Sequence, residues 1–384
     1  MAQISTTMKK RILIDATNVD ITRPGGGSFC VRAYIEALIN IYPGLIDVMH
    51  PKEANIRDPR YTTIDVAQRS KKKAILGGIK GFFHRGGPFI VDYIKQHENI
   101  YHTVFINIGL FAGGVVEKIK QTSLRVVVIH HNFEPEYRMA SRSVLTLYGR
   151  TSAIVKYWER KSYKNADLNL FLTAADCTTF ENEYGKRENN YVTGVFEPTP
   201  QRQTCTTATT QTAVITCALG DRQNQASLMQ FISYYMPAFL RVLPEWEVIM
   251  MGRHPSAKLT QAVTSVDNMS IIPNPKDICA LAAKSCIYLC PMDTGGGFKL
   301  RIMDGLRMGQ PVLVHERSAR GYEELSDKPF FKTYTNVEEF EERLQGITTF
   351  MQSPAYSREN VQDAYYSLFG LEKGTERLKT ILCH

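Results

Sequence analysis

The sequence predicts an α/β protein with two doubly wound domains. Short apolar runs rich in β-branched residues alternate with helical patterns in both halves of the chain, which is typical of parallel sheets covered by helices. The length of 384 residues exceeds what one ordinary core supports, so we expect two domains of similar size. Residues 198–212, rich in Thr and Gln, lack apolar periodicity and are predicted to link domains at 1–197 and 213–357.

Composition narrows the class of protein. The 43% of hydrophobic and 22% of charged residues are typical of a globular protein, and the apolar runs are shorter than the roughly 20 residues that span a bilayer. The first residues, MAQISTTMKKRILID, contain no apolar signal core, so we expect a cytoplasmic protein. Eight cysteines without CxxC pairing indicate buried thiols rather than disulfides or a zinc site. The net charge of +8 admits anionic partners, although scattered basic residues disfavour nucleic acid.

The first domain opens with a strand, a glycine loop and a helix. Residues 11–16 (RILIDA) form a short apolar run, and TRPGGGS follows at residues 22–28 before a helical pattern begins. This order starts a doubly wound sheet. The loop lacks the GxGxxG pattern, which disfavours a dinucleotide-dependent dehydrogenase. Its glycines Gly25, Gly26 and Gly27 fit either an ordinary turn or a loop that contacts a ligand.

Residues 69–87 contain six basic side chains and no acidic one. Apolar residues at helical spacing, including Ile75, Leu76 and Phe82, accompany them. A basic amphipathic helix of this kind can lie on an anionic membrane surface. Three glycines weaken the helix, and the apolar side would equally fit against a core, so both interpretations stay open.

Polar residues follow the apolar run at residues 124–129 (LRVVVI), which is predicted to be a buried strand. They are His130, His131, Asn132 and Glu134. Ligand-binding groups in open α/β sheets collect at the carboxyl ends of the strands, so these side chains are candidates for a site. A lone histidine is more often structural, but two in tandem beside Asn and Glu favour a functional role.

Residues 291–314, PMDTGGGFKLRIMDGLRMGQPVLV, predict a loop, an amphipathic helix, a terminating glycine and a buried strand. The glycines Gly295, Gly296 and Gly297 let the backbone approach a ligand, and a helix start favours an anion. Lys299 adds a positive charge there, and Asp304 would lie about 9 Å further along the helix axis. This arrangement suits a nucleotide diphosphate, with the phosphate at the helix start and the ribose at Asp304.

The two faces of this predicted helix differ in character. One face is expected to pack on a sheet and consists of Phe298, Ile302, Gly305 and Leu306. The other would line a ligand site and consists of Leu300, Arg301, Asp304 and Arg307. The alternative for Asp304 is a surface carboxylate that pairs with Arg301 or Arg307 three residues away. No clustered carboxylates in the sequence indicate a divalent-metal site.

The segment GGGFKLRIMDGLRMGQPVLV resembles the donor site of retaining glycosyltransferases of family 4. These have the GT-B fold, in which two Rossmann-like doubly wound domains face a central cleft. The family's pattern has two glutamates separated by seven residues. Asp304 matches the second, at the ribose-binding position, whereas the first falls on Gly296. Backbone N–H groups of Gly296 and Gly297, or the side chain of Asp293, would then take its place.

The resemblance also assigns residues on the two sides of the reaction. On the acceptor side, the glycine loop and residues 130–134 match family segments, and His131 fits the motif better than His130. On the donor side, the family has an Arg and a Lys after the strand at 213–219, and this chain has Arg222 but lacks the lysine. Residues 270–277, with Asn274, match the loop beneath the nucleotide base, and the final helices at 358–384 would cross back onto the first domain.

The implied reaction is sugar transfer from a UDP- or GDP-sugar to a sugar or lipid-linked acceptor hydroxyl, with retention, in polysaccharide or glycolipid assembly. The resemblance implies that His131, Asp304 and Lys299 carry the chemistry and that no cofactor or metal is needed. An inactive GT-B scaffold protein is the alternative, because the first glutamate is missing.

Overall fold

The computed structural model describes residues 10–23, 25–78, 81–82, 84–109, 112–133, 135, 152–204, 210–294 and 297–383. They belong to two compact units. The first unit comprises Met1–Pro200 with Leu371–His384, and the second comprises Gln201–Gly370.

In the described part of the first unit, seven parallel strands form one sheet in the order β3-β2-β1-β4-β5-β6-β7. The strands are β1 (Arg11–Asp15), β2 (Ile46–Pro51), β3 (Thr62–Val66), β4 (Tyr101–Asn107), β5 (Arg125–His130), β6 (Leu168–Phe171) and β7 (Asn190–Val192). The helices between them are α1 (Gly26–Ile41), α2 (Lys71–Gly77), α3 (Gly87–Gln96), α4 (Gly113–Ile119), α5 (Ser152–Asn165) and α6 (Ala174–Tyr184). The strand order reverses between β1 and β4, and such a reversal opens a crevice at the carboxyl ends of the strands.

In the described part of the second unit, six parallel strands form a sheet in the order β10-β9-β8-β11-β12-β13. They are β8 (Thr212–Cys217), β9 (Glu247–Gly252), β10 (Met269–Pro273), β11 (Ile287–Cys290), β12 (Val312–His315) and β13 (Phe331–Tyr334). The helices are α7 (Arg222–Gln230), α8 (Met236–Val242), α9 (Ala257–Thr264), α10 (Ile278–Ala282), α11 (Leu300–Arg307), α12 (Val337–Met351) and α13 (Arg358–Phe369). Here the order reverses between β8 and β11.

The strands predicted from apolar runs are confirmed. In β5, the side chains of Val126, Val127 and Val128 are fully buried, as expected for a parallel strand that has helices on both sides. The buried residues Leu13, Val104 and Val126 belong to one apolar cluster beneath the first sheet.

The helix α11 begins later than the sequence predicts. Its first residue is Leu300 and its N-cap is Lys299, so the glycine triplet is not the helix start. Phe298 therefore precedes the helix, and its ring stacks on Tyr322 at a centroid distance of 4.4 Å. Asp304 lies four residues after Leu300, about 6 Å along the axis instead of about 9 Å.

The end of α11 is the one the sequence predicts. Gly309 has φ +70°, which a residue without a Cβ atom adopts at little cost. The N–H of Gln310 donates to the Gly305 carbonyl, and the N–H of Gly309 donates to the Leu306 carbonyl, both at 3.0 Å. These two bonds form a Schellman motif, which satisfies carbonyls at the helix end.

The C-terminal segment 358–384 is divided between the two units. The helix α13 belongs to the second unit, where the Arg358 guanidinium donates to the backbone oxygens of Ala283 and Ser285. The last helix, α14 (Leu371–Cys383), belongs to the first unit and packs on α1.

Residues 69–87 do not form one continuous helix. Only Lys71–Gly77 is helical, with the Ser70 side chain as its N-cap, and Ile79, Lys80 and Phe83 lie outside the described residues. The guanidinium of Arg69 donates to the backbone oxygens of Phe82 and His84 at 2.7 and 2.9 Å, which ties the segment together. The expectation that the apolar side faces a core is wrong for Ile75 and Leu76, which are 52% and 75% exposed.

No helix in the described ranges combines the length and the apolar character that crossing a membrane requires.

Candidate functional site

In the second unit, three basic side chains gather where the strand order reverses between β8 and β11. Arg301, from the first turn of α11, reaches the end of β8, where its guanidinium donates to the Thr216 carbonyl at 3.2 Å. Lys299 precedes it, and Arg320 is close enough to affect the pKa of Lys299. We call Lys299, Arg301 and Arg320 the cation cluster.

Two thiols and a tyrosine hydroxyl lie close to the Arg301 guanidinium. Burial by itself lowers the pKa of the guanidinium, and the nearby Cys290 and Cys217 thiols and the Tyr288 hydroxyl raise it. Burial also raises the pKa of the Cys217 thiol to about 11, so this thiol is neutral at physiological pH. Burial raises the pKa of Cys290 and Tyr288 as well, so these three neighbours do not compensate the charge of Arg301 at physiological pH.

Burial also disfavours the charged form of Lys299. Its half-buried position is the main cause that lowers the pKa of its ammonium group, and repulsion from Arg301 and Arg320 lowers it further. The Cys290 thiol and the Asp221 carboxylate act in the opposite direction. Like charges held together in a desolvated place are stabilised by an anion. The cation cluster is therefore suited to binding phosphate groups.

Asp304 forms an ion pair with Arg307 on the same helix, and its side chain is 35% exposed. This pairing is the alternative that the sequence left open. A carboxylate with two oxygens can still accept further hydrogen bonds while it is paired. The ribose-binding role of Asp304 therefore stays a prediction.

The other predicted donor residues have varied surroundings. Arg222 is exposed at the first position of α7, after the end of β8. Asn274 is exposed with φ +50°, and its side-chain oxygen accepts a hydrogen bond from the His254 N–H at 3.0 Å. Gly297 is buried with φ +72°, whereas Gly295 and Gly296 lie outside the described residues.

Asp293, which could replace the missing glutamate, is held against α7. The Ser227 hydroxyl donates to its Oδ1 atom at 2.5 Å. Because Asp293 follows β11, this bond keeps its carboxylate at the carboxyl edge of the second sheet.

In the first unit, polar side chains from three neighbouring strands meet where the order reverses between β1 and β4. Asn107 is the last residue of β4, and its side-chain oxygen lies 2.7 Å from Nε2 of His131, which follows β5. Asn18, from the loop after β1, donates to the Asn107 carbonyl at 3.3 Å. Burial lowers the pKa of His131 to about 4, so its ring is neutral at physiological pH.

His130 is surrounded by aromatic rings. It stacks on Phe171 at a centroid distance of 5.0 Å and packs against Phe180, and its Nε2 lies 2.9 Å from the Asn169 side-chain oxygen. Burial lowers the pKa of His130 to about 4. These contacts indicate a structural role for His130, in line with the preference for His131.

The remaining predicted acceptor-side residues lie near the first helix and after β5. Gly25 is the N-cap of α1, and Gly26 and Gly27 begin the helix. Asn132 is half-buried beside His131. Glu134 lies outside the described residues.

The sequence analysis missed a buried polar group at the end of β1. The Asp15 carboxylate accepts hydrogen bonds from His84 Nε2 at 2.8 Å and from the Thr17 hydroxyl at 2.7 Å. Nδ1 of His84 accepts a bond from the Gly86 N–H at 3.0 Å, so the proton is on Nε2. Although burial raises the pKa of Asp15, the contacts with His84 and Thr17 outweigh it, and the net shift is downward. The group fastens the end of segment 69–87 to β1.

Asn107 was also missed as a site residue. The helical pattern placed Arg301 on the face that would line a ligand site, but its approach to β8 depends on tertiary packing. Asn107 ends an apolar strand without any local motif. Within the described residues, no group of three His, Cys, Asp or Glu side chains could hold a metal ion.

Comparison with known proteins shows the fold. HepE from Anabaena, solved in complex with UDP, matches with a TM-score of 0.65 and 13% identity over 98% of this chain and 100% of that one. Sucrose-phosphate synthase from Thermosynechococcus elongatus matches with a TM-score of 0.67 and 14% identity over 98% of both chains. The lipopolysaccharide outer core galactosyltransferase WaaB matches with a TM-score of 0.67 and 11% identity, over 98% of this chain and 99% of that one.

No family model and no curated protein sequence matches the chain. The two parallel-sheet units and the nearly complete coverage define a protein of the GT-B fold, which confirms the predicted fold class.

Proposed function

We propose that this protein is a retaining glycosyltransferase, which moves a sugar from a nucleotide diphosphate-sugar to an acceptor hydroxyl. The observation that carries the proposal is the cation cluster at the strand reversal of the second unit. The guanidinium of Arg301 and the ammonium group of Lys299 are both half-buried, and Arg320 adds a third positive charge near them, so the cluster is suited to a diphosphate. Structures of HepE with UDP and with UDP-glucose show that the same fold can bind such donors.

In the proposed reaction, the bond between the anomeric carbon and the diphosphate oxygen breaks. A new bond to the acceptor oxygen forms on the same face of the sugar, and the acceptor hydroxyl loses its proton. Negative charge develops on the leaving diphosphate, and the cation cluster would stabilise it, with a contribution from Arg222. Asp304 would bind the ribose, and His131 would contact the acceptor. The proposal requires neither a cofactor nor a metal ion.

Calorimetric titration with UDP, GDP and their sugars tests donor binding. We expect one nucleotide to bind, and Arg301→Met or Lys299→Met to raise its Kd about tenfold or more, because a hydrogen bond to a charged group is worth ~1.5–3 kcal/mol. Lys258→Met is the control, since it removes an exposed charge on α9. Unchanged affinity in both site variants, or no binding of any donor, would refute the proposal.

The same samples separate a transferase from an inactive scaffold. A transferase releases nucleotide slowly from its donor sugar even without an acceptor, because water can replace the acceptor hydroxyl. A protein that binds UDP or GDP tightly but releases none from any donor tested would favour the scaffold, as the glycine at the first glutamate position suggests.

We propose further that the protein meets a lipid-linked acceptor of polysaccharide or glycolipid assembly at the inner face of a membrane. The helix α2 supports this partner, because it exposes Ile75 and Leu76 directly after the exposed Lys71, Lys72 and Lys73. Apolar side chains beside basic ones fit an anionic lipid surface. The bonds made by Arg69 hold this helix in place.

Co-sedimentation with vesicles containing phosphatidylglycerol tests the membrane contact. We expect binding that weakens with salt, and a loss of about tenfold or more for Leu76→Ser, because burying a leucine side chain is worth ~1.5–3 kcal/mol. Tyr234→Ser is a matched control, since Tyr234 is 63% exposed on the second unit. Equal recovery in the supernatant with and without vesicles contradicts the contact.

A further inference from the structure

The tandem histidines His130 and His131 make the same type of contact with different results. Each ring places Nε2 near the side-chain oxygen of an asparagine, at 2.9 Å for Asn169 and 2.7 Å for Asn107. The Asn169 amide nitrogen also donates to the Tyr163 carbonyl and to Asn190, so this asparagine is fully bonded. The pair of His130 and Asn169 is therefore explained by packing alone.

Asn107 differs from Asn169 in the hydrogen bonding of its amide nitrogen. The residue is completely buried, and among the described residues its Nδ2 atom has no hydrogen-bond partner. An unmet donor in a buried place costs ~1–3 kcal/mol. Such a cost at the carboxyl end of a strand, next to the strand reversal, indicates a constraint other than stability.

We propose that Asn107 is a positioning residue that fixes the tautomer of His131 for the acceptor hydroxyl. The inference rests on the proposed transferase function. An asparagine side-chain oxygen only accepts hydrogen bonds, so the bond between them requires the proton on Nε2 of His131. Nδ1 then carries a lone pair, which can accept a hydrogen bond from a sugar hydroxyl.

The loop after β1 supports this geometry from the other side. The Asn18 side chain donates to the Asn107 backbone carbonyl at 3.3 Å, which ties the end of β4 to that loop. With the backbone of Asn107 tied in this way, the orientation of its side-chain amide decides which ring nitrogen of His131 carries the proton. A reversed amide would place the proton on Nδ1 and leave no lone pair for the hydroxyl.

Nitrogen-15 NMR of the histidine rings in the full chain measures this directly. The signal of His131 is assigned by its loss in His131→Gln, and that of His130 by its loss in His130→Gln. At neutral pH we expect His131 as a single neutral tautomer, with Nε2 protonated and Nδ1 bare. A protonated Nδ1, or a fast mixture of both tautomers, would overturn the proposal.

Two variants separate positioning from a merely structural role. Asn107→Ala should give a mixture of His131 tautomers, and Asn107→Asp should raise the titration midpoint of His131 by about one to three pH units, because a carboxylate stabilises the imidazolium. The His130 signals report on folding and should stay unchanged. If the His131 signals respond to neither variant, or if both histidines change together, Asn107 is structural only.

Titration with UDP on the same samples keeps this inference distinct from the proposed function. UDP binding tests the second unit and the tautomer tests the first. A wild-type protein that fails to bind any nucleotide but shows the expected tautomer contradicts the transferase function, and with it the acceptor hydroxyl, while Asn107 would still fix the tautomer of His131. A protein that binds nucleotide but shows the opposite tautomer contradicts the role of Asn107 only.

Discussion

Arg301 and Lys299 hold positive charges in half-buried positions of the second unit. Moving a cation out of water into a protein costs roughly several kcal/mol of desolvation free energy unless a counter-charge compensates it. Arg301 recovers part of this cost from the Thr216 carbonyl, and Lys299 loses further through repulsion from its two basic neighbours. Such residues are easier to explain as half of a complex with an anion than as parts of a core.

Asp304→Ala should raise the Kd for the bound nucleotide by about tenfold or more, since a hydrogen bond from a ribose hydroxyl to a carboxylate is worth ~1.5–3 kcal/mol. The melting temperature should hardly change, because the substituted Asp304 side chain is 35% exposed and an ion pair near the surface contributes only about 0–1 kcal/mol. Calorimetry and thermal unfolding measure the two effects. Asp327→Ala, which removes an exposed carboxylate paired with Lys328, is the control. An unchanged Kd would show that Asp304 is only a helix-surface carboxylate.

At the scale of elements, the sequence predicts best what local chemistry decides. The end of α11 was predictable because Gly309 acts within its own turn. The strand β5 was predictable because a run of apolar β-branched residues favours a buried strand. The start of α11 was not predictable, because the glycines before it allow many backbone conformations and do not fix the residue at which a helix begins. The Lys299 carbonyl at this start accepts a hydrogen bond at 2.9 Å from the Tyr322 hydroxyl, which is 23 residues away in the sequence.

The site residues follow the same division. Lys299 and Asp304 could be named as candidates because they stand at fixed distances within one motif. Asn107, the contact of Arg301 with β8 and the contact of His84 with Asp15 could not be predicted, because each depends on a partner brought in by the sheet order. For His84 and Asp15 that partner is 69 residues away.

Two glycines inside helices of the second unit should respond in opposite ways to the same change. In Gly305→Ala, the new Cβ atom would lie 2.6 Å from Cγ of Tyr288, a buried ring of β11. Overpacking of this kind costs about 1–3 kcal/mol, which exceeds the gain in helix propensity of about 1 kcal/mol. In Gly346→Ala, nothing lies within 4 Å of the new atom, so only the gain remains.

Urea unfolding of both variants measures the difference. We expect Gly346→Ala to raise the free energy of unfolding of the second unit by about 0.5–1 kcal/mol, and Gly305→Ala to lower it. Because both glycines belong to the same unit, the two changes are read from the same transition. Stabilisation by Gly305→Ala would mean that α11 does not pack closely on β11.

At the scale of the whole molecule, each unit uses the strand reversal of its own sheet in a different way. The first unit presents neutral hydrogen-bonding groups there, namely Asn18, Asn107 and His131. The second presents the cation cluster. Neutral groups suit hydroxyls and cations suit phosphates, so under the proposed function the first unit would recognise the acceptor and the second the donor.

Buried histidines make the stability of the first unit depend on pH. Burial is the main cause that lowers the pKa of His50, His130 and His131 to about 4 in the folded chain, while an unfolded histidine has a pKa of about 6.5. Between these two values the unfolded chain binds more protons than the folded one. The free energy of unfolding must therefore fall as the pH falls from about 6.5 to about 4.

We accordingly expect the first unit to lose stability on acidification through this window, by up to about 1.4 kcal/mol per pH unit for each histidine. Thermal or urea unfolding at a series of pH values from about 7.5 to about 4 gives the slope. His130→Phe should make it shallower, because it removes one of the three groups while an aromatic ring still fills the space among Phe171 and Phe180. An identical slope in the variant would mean that His130 takes up its proton at the same pH in the folded and the unfolded chain, which its aromatic surroundings disfavour.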